Sequence, residues 1–180
     1  MTQKLFESSA TNLGPIVPAG VSQIYGRDLE THANYLLSRA SGPDGAAGNL
    51  SSEEPSIAAD GDRIVFESFA NNLVPDDTND SLDVFVYDFD TQTTTLITRA
   101  AGSGGPVGNA GGYSPAISGD GNWVTYTSES TNLLPTDTNG TVADVFLRDL
   151  QQETVALVSV AVGASGAEGN GSSFDTTIST

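Results

Sequence analysis

The sequence predicts an all-β chain assembled from β-propeller blades, as three four-stranded antiparallel repeats of about 60 residues. Three observations carry this. Short Val, Ile, Phe and Tyr runs alternate with stretches rich in Gly, Pro, Asn, Asp, Ser and Thr, a pattern of short strands and turns. A set of anchors recurs at a fixed period across the whole length, the signature of a repeat architecture. Finally, an Asp-Gly pair stands between the first two apolar runs of two units, where it forms a tight hairpin.

The anchors fall in order along each unit. Phe6, Phe66 and Tyr126 are spaced by 60, and the strings that start there are Phe-Glu-Ser-Ser-Ala-Thr-Asn-Leu, Phe-Glu-Ser-Phe-Ala-Asn-Asn-Leu and Tyr-Thr-Ser-Glu-Ser-Thr-Asn-Leu. Pro15, Pro75 and Pro135 follow each Leu by two residues. Asp28, Asp88 and Asp149 close the third strand of each unit, the last displaced by one inserted residue. A Gly-x-x-Gly-x-x-Gly-Asn segment then recurs at 42–49, 102–109 and 163–170, and each unit restarts at Ile57, Ile117 and Ile178. In the best-preserved unit the four strands are predicted at about 55–59, 62–69, 83–88 and 94–99. Four antiparallel strands per repeat is the arrangement of propeller blades.

The chain is split at the Asp-Gly hairpin. Residue 1 aligns with Gly61 and Thr180 with Ala59, so 171–180 is expected to supply the first strand of a blade whose other strands lie near the amino terminus. The organisation expected is one half-propeller domain over 1–180, with repeats at about 1–50 (completed by 171–180), 51–110 and 111–170. Three blades are fewer than the four to eight that close around a channel. The expectation is therefore either a homodimer forming a six-bladed ring or a part of a longer propeller.

Charge and composition exclude several functions. With 23 Asp and Glu against 6 Lys and Arg, the net charge of −17 repels phosphate backbones, so nucleic acid is not an expected partner. The chain contains no Cys, which excludes disulfides and thiolate metal sites. No apolar stretch approaches the length of a membrane span, and the start of the sequence lacks the apolar core of a signal peptide, so membrane insertion is not expected.

Oxygen ligands concentrate between the second and third strands. Asp76-Asp77-Thr78-Asn79-Asp80-Ser81-Leu82-Asp83 and Thr136-Asp137-Thr138-Asn139-Gly140-Thr141-Val142-Ala143-Asp144 each combine Asp-x-Asn with a further Asp. Calcium takes six to eight oxygens from carboxylates, amides and carbonyls. The candidate metal ligands are therefore Asp77, Asn79, Asp83, Asp137, Asn139 and Asp144, and the same residues serve equally as Asx turns. The first unit has Val17-Pro18-Ala19-Gly20-Val21-Ser22-Gln23 here, without a carboxylate.

Other recurrent residues are read as architecture. Asn12, Asn72 and Asn132, and Asp28, Asp88 and Asp149, occur in every unit and are expected to bond turn backbone. The glycine-rich segments lack the Lys and the strand-to-helix context of a phosphate loop and are expected to be connectors. Phe66, Phe85, Tyr126 and Phe146 are expected to pack between blades. Trp123 replaces polar residues of the other units, and two placements are open to it: at the surface, where it could stack on a sugar or a partner, or partly buried at a blade interface. His32, the sole His, falls in a turn, and no Gly-x-Ser-x-Gly or His-Glu-x-x-His motif is present, so no catalytic residue is assigned.

The strings Pro-Ser-Ile-Ala-Ala-Asp-Gly-Asp-Arg-Ile-Val-Phe-Glu-Ser, Asn-Leu-Val-Pro-Asp-Asp-Thr-Asn and Asp-Val-Phe-Val-Tyr-Asp resemble the TolB-like, WD40-like (PD40) bacterial propeller repeats. The resemblance implies a six-bladed or similar propeller acting as a binding platform, commonly in periplasmic, cell-envelope or secreted proteins. The function expected is a non-enzymatic scaffold for protein-protein interaction or self-association, stabilised by calcium if the Asp-x-Asn loops bind it. The alternatives are a propeller portion of a larger exported hydrolase or peptidase, and a carbohydrate-binding propeller.

Overall fold

The computed structural model describes residues 3–135, 137–163 and 166–179, so Thr136 of the third-unit loop and the predicted domain limits at residues 1, 2 and 180 lie outside it. Eleven strands form three antiparallel sheets and, among the described residues, no helix. The first sheet contains β1 (Gln3–Ser8), β2 (Gln23–Asp28) and β3 (Asn34–Leu36), in that order. The second orders β4 (Ser52–Ile57), β5 (Arg63–Ser68), β6 (Asp83–Asp88) and β7 (Thr93–Leu96). The third repeats this with β8 (Tyr113–Ile117), β9 (Trp123–Ser128), β10 (Asp144–Asp149) and β11 (Thr154–Leu157). The second and third blades thus match the expected four strands, whereas the first has three.

Local chemistry sets the corners. In the β4–β5 and β8–β9 hairpins Gly61 and Gly121 adopt φ of 82° and 67°, and Asp60 and Asp120 accept the N–H of the residue two further on. The first strand of each four-stranded blade is kinked by a bulge, between Glu53 and Ser56 in β4 and between Tyr113 and Ala116 in β8. Pro55 and Pro115 sit in these bulges, where a missing N–H breaks no ladder bond. Glu54 and Ser114 just before them take φ of 52°.

Side chains alternate between the two faces of each sheet, and the faces differ. Phe66, Phe85 and Leu96 of the second blade pack on Ile24 and Leu37 of the first. Tyr126 and Phe146 of the third pack in turn on Val65, Val84, Val86 and Ile97 of the second. The expectation that these aromatics lie between blades is borne out. Each pair also stacks within its own sheet, Phe66 on Phe85 at 5.8 Å and Tyr126 on Phe146 at 5.7 Å. The equivalent pair of the first blade, Phe6 and Tyr25 at 5.7 Å, joins Val17 and Leu36 in a small cluster on that blade's outer side.

Residues 171–179 form no strand with β1. They lie instead along the third blade, where Ser173 N donates to Ala143 O at 2.8 Å and Thr176 Oγ1 to Ser114 O at 3.1 Å. The same bond introduces the inner strand of each other blade: Ser52 N to Ser22 O at 2.9 Å, and Gly112 N to Leu82 O at 2.7 Å. Asp175 has φ of 55°, matching Glu54 and Ser114. The segment thus sits beside the third blade as β4 sits beside the first.

Candidate functional site

Asp77, Asn79 and Asp83 come together where the β5–β6 loop enters β6. Asp83, the first residue of β6, is 0% exposed, and Asp77 is 8% exposed. Asp83 Oδ1 accepts from Thr98 Oγ1, one residue beyond Ile97 on the neighbouring strand's continuation. Asp83 Oδ2 and Asp77 Oδ1 are buried without a hydrogen-bond partner. Burial and the nearby Asp77 push the Asp83 carboxyl up to about 6, and burial also raises that of Asp77, with Asp80 and Asp76 adding repulsion. Asn79 donates its amide to Gly108 O at 2.8 Å and accepts from Ser81 N at 2.9 Å, tying the loop to the connector ahead of the third blade.

The third-blade loop uses the same residues differently. Asp144 is 1% exposed, but both oxygens are engaged, Oδ1 by Ser159 Oγ at 2.5 Å and Oδ2 by Asn139 Nδ2 at 2.7 Å. Asn139 also donates to Gly169 O at 3.1 Å, and its own Oδ1 is buried without a partner, as is Asp137 Oδ1. Burial, Glu168 and Asp144 raise the Asp137 carboxyl. In the first blade the position of Asp83 is taken by Gln23, whose Nε2 donates to Gly48 O at 3.1 Å and Leu50 O at 3.3 Å, while its Oε1 accepts from Ser38 Oγ at 2.7 Å. Thr98, Ser159 and Ser38 are repeat-equivalent, and sequence reasoning missed all three. Their common spacing behind Asp83, Asp144 and Gln23 was the available signal.

Among the described residues no three His, Cys, Asp or Glu side chains converge as a metal-binding group. A cation in the second-blade loop would therefore draw on two carboxylates and complete its shell with neutral oxygens, a composition calcium accepts.

Asp28, Asp88, Asp149, Asn72 and Asn132 bond turn and loop backbone as expected, and among the described residues no such bond is made by Asn12. Asp28, Asp88 and Asp149 each accept turn N–H groups, at Glu30 and Thr31, at Thr91, and at Gln151 and Gln152. Asn72 accepts Asn49 N at 3.0 Å, and Asn132 accepts Asn109 N at 3.0 Å, so these side chains join a loop to the connector before it. His32 is exposed in a turn at φ of 61°, and Trp123 is 37% exposed.

A cleft of about 540 Å³ opens between the first and second blades, lined by Tyr35, Leu37, Arg39, Tyr87, Phe89 and Asp90 among others. A smaller hollow of about 230 Å³ surrounds Arg63, which pairs with Asp88 at 2.9 Å and donates to Gly121 O at 2.9 Å. Neither holds a nucleophile with an adjacent base among the described residues.

Antiparallel sheets of three, four and four strands, each packed face to face on the next through repeat-equivalent side chains, define the chain as a β-propeller repeat array. TolB is among the solved structures it resembles in fold. The TolB structure from Acinetobacter baumannii matches with a TM-score of 0.50 and 18% identity, over 87% of this chain and 29% of its own. The β-propeller domain of the trilobed protease from Pyrococcus furiosus matches at 0.45 and 15%, over 74% of this chain and 32% of its own. No family model and no curated protein matches the sequence. The chain thus spans about a third of the length of these structures, and the TolB-like resemblance of the repeat strings holds at the level of the fold.

Proposed function

We propose that the chain is a non-enzymatic scaffold for binding and assembly, in which two copies join head to tail as a six-bladed ring. One observation supports this: among the described residues no inner strand pairs with β1, while residues 173–178 stand in the inner-strand position beyond the third blade. The conformation is already set, with the positive φ at Asp175 matching that of the two paired inner strands. An unpaired strand edge and a preset strand of the same repeat are complementary.

The side chains support the same joint. Ile24 with Leu37, and Val84 with Ile97, are buried on the face each blade turns to its successor. The equivalents on the third blade are Val145, half-buried, and Val158, 48% exposed. On the first blade the equivalent residues are Phe6, half-buried, and Tyr25 and Leu36, already covered at 0% and 3% exposed in their own cluster, so the open apolar side of the joint is Val145 and Val158. A ring of this kind presents acidic loops to a protein partner. By resemblance to the TolB-like repeats its place is the periplasm, the cell envelope or the outside of the cell. Among the described residues no helix is long and apolar enough to cross a membrane.

Light scattering coupled to size exclusion tests the assembly. The expected mass is twice that of the 18.5 kDa chain. A compact monomer at all concentrations would overturn the ring.

A further inference from the structure

The chain contains two Asn-Gly steps, Asn139–Gly140 and Asn170–Gly171. Such a step carries its own reagent. The backbone nitrogen of the glycine attacks the side-chain carbonyl carbon of the asparagine, ammonia leaves, and a succinimide closes. Water then opens that ring at either carbonyl, giving aspartate or its isoaspartyl isomer, so amide plus water becomes acid plus ammonia. Glycine favours the attack because no Cβ shields its nitrogen or restricts its backbone. In a folded chain the rate depends on whether the asparagine side chain is free to turn towards that nitrogen.

The two steps differ in this respect. Asn139 is held, because its Nδ2 donates to Asp144 Oδ2 at 2.7 Å and to Gly169 O at 3.1 Å, and its Oδ1 is buried. Closure there has to break both bonds. Asn170 is exposed, and a Cβ placed on Gly171 would meet no atom within 4 Å, so this step stands in open space. The repeat equivalents of Asn170 show what restrains the position elsewhere. Asn49 Nδ2 donates to Asn71 Oδ1 at 2.8 Å, and Asn49 N to Asn72 Oδ1 at 3.0 Å. Asn109 Nδ2 donates to Thr131 Oγ1, and its Oδ1 accepts from Thr131 N, both at 2.9 Å. Each clamp comes from a loop of the following blade. Among the described residues no side chain clamps Asn170 in this way, and the residue after it is Gly where the other two units have Leu50 and Ala110.

We propose that Asn170–Gly171 is a spontaneous modification site, which converts to aspartyl and isoaspartyl forms while the connector leaving the third blade is unclamped. The second half of the proposal rests on the two-copy ring. There Thr11 and Asn12 of the other copy take the place that Thr131 and Asn132 hold against Asn109, and closing the seam slows the reaction. The added carboxylate, and the extra backbone atom of the isoaspartyl form, then mark a copy whose seam has stayed open.

The test is to incubate the full 180-residue chain at mildly alkaline pH and follow both asparagines by peptide mass spectrometry, with enzymatic detection of isoaspartate. Residue 170 should convert roughly thirtyfold faster than residue 139, the worth of the two hydrogen bonds that hold Asn139. In concentrated urea the two rates should converge. Gly171→Ala, for which there is room, should suppress conversion at 170 and leave that at 139 unchanged. Equal rates in the folded chain, or faster conversion at 139, overturn the site. Light scattering on the same samples separates the two halves of the proposal. Material of twice the chain mass should convert at 170 more slowly than dilute monomer, and equal rates in the two overturn the clamp. A monomer at every concentration overturns the ring and the clamp with it, whereas the contrast between 170 and 139 is decided in the monomer itself.

Discussion

Glu67 on β5 lies directly opposite Glu53 on β4, and accepts Ser114 N–H at 2.9 Å from the next blade's bulge. Burial raises its carboxyl above the ordinary glutamate value, and Glu54, Glu53 and Glu7 raise it further against the opposing bond from Ser114. A folded-state value above the unfolded one means the native chain holds the proton longer. Stability is therefore greatest below the ordinary glutamate range and falls as pH rises through the raised value. Glu67→Gln keeps an acceptor for Ser114 N–H and removes the charge, so its melting temperature should change less with pH across that window than the parent's and exceed it at neutral pH. Melting curves from pH 4 to pH 8 check this. The Asp77 and Asp83 pairing was legible in sequence as spacing, since both flank one short loop. The hydroxyls that reach Asp83 and Asp144 were not legible, because Thr98 and Ser159 stand 15 residues away and meet these carboxylates through strand register.

Connectors and hairpins were the most legible elements, because their chemistry is local. The Gly-x-x-Gly-x-x-Gly-Asn connector closes an isolated bridge in every unit, Arg39 to Ala47, Arg99 to Val107 and Val160 to Glu168. Its middle glycine is required by sterics: a Cβ on Gly45, Gly105 or Gly166 would lie 1.8, 2.3 or 1.9 Å from the carbonyl oxygen of Ala40, Ala100 or Ala161. Gly105→Ala should therefore cost about 1–3 kcal/mol by urea unfolding, the range of strained backbone sites. A small effect would mean the connector can shift freely. Strand limits were less legible. β4 starts at Ser52, not near 55, because the bulge at Glu54 lets pairing resume on its far side, from Ser52 to Ser68 and Glu53 to Glu67. β7 ends at Leu96, not 99, because Arg99 turns into the connector's bridge with Val107.

At the scale of the molecule, the number and period of the blades could be read from the sequence, whereas the strand expected over 171–180 is not formed among the described residues, which lie beside the third blade without ladder pairing. Where that segment comes to rest could not be read, since alignment gives its blade position and not the copy it joins. The loop-to-connector contact of Asn72 with Asn49 and of Asn132 with Asn109 has its next repeat equivalent in Asn12 with Asn170, at the two ends of the array. In the ring these two meet between copies. Asn12→Ala or Asn170→Ala should weaken dimerisation by about a hundredfold, the worth of one hydrogen bond of about 1.4 kcal/mol at each of the two seams, while Asn72→Ala should lower the melting temperature without changing the mass. Analytical ultracentrifugation against concentration separates the two effects. The unlike faces of each blade, aromatic towards its predecessor and aliphatic towards its successor, have one more consequence. Like faces do not interlock, so copies must add in a single direction, and a pair that closes does so through two identical seams. Any change at the seam is then felt twice in the ring but once in an open chain of two, which makes closure itself the property most sensitive to mutation.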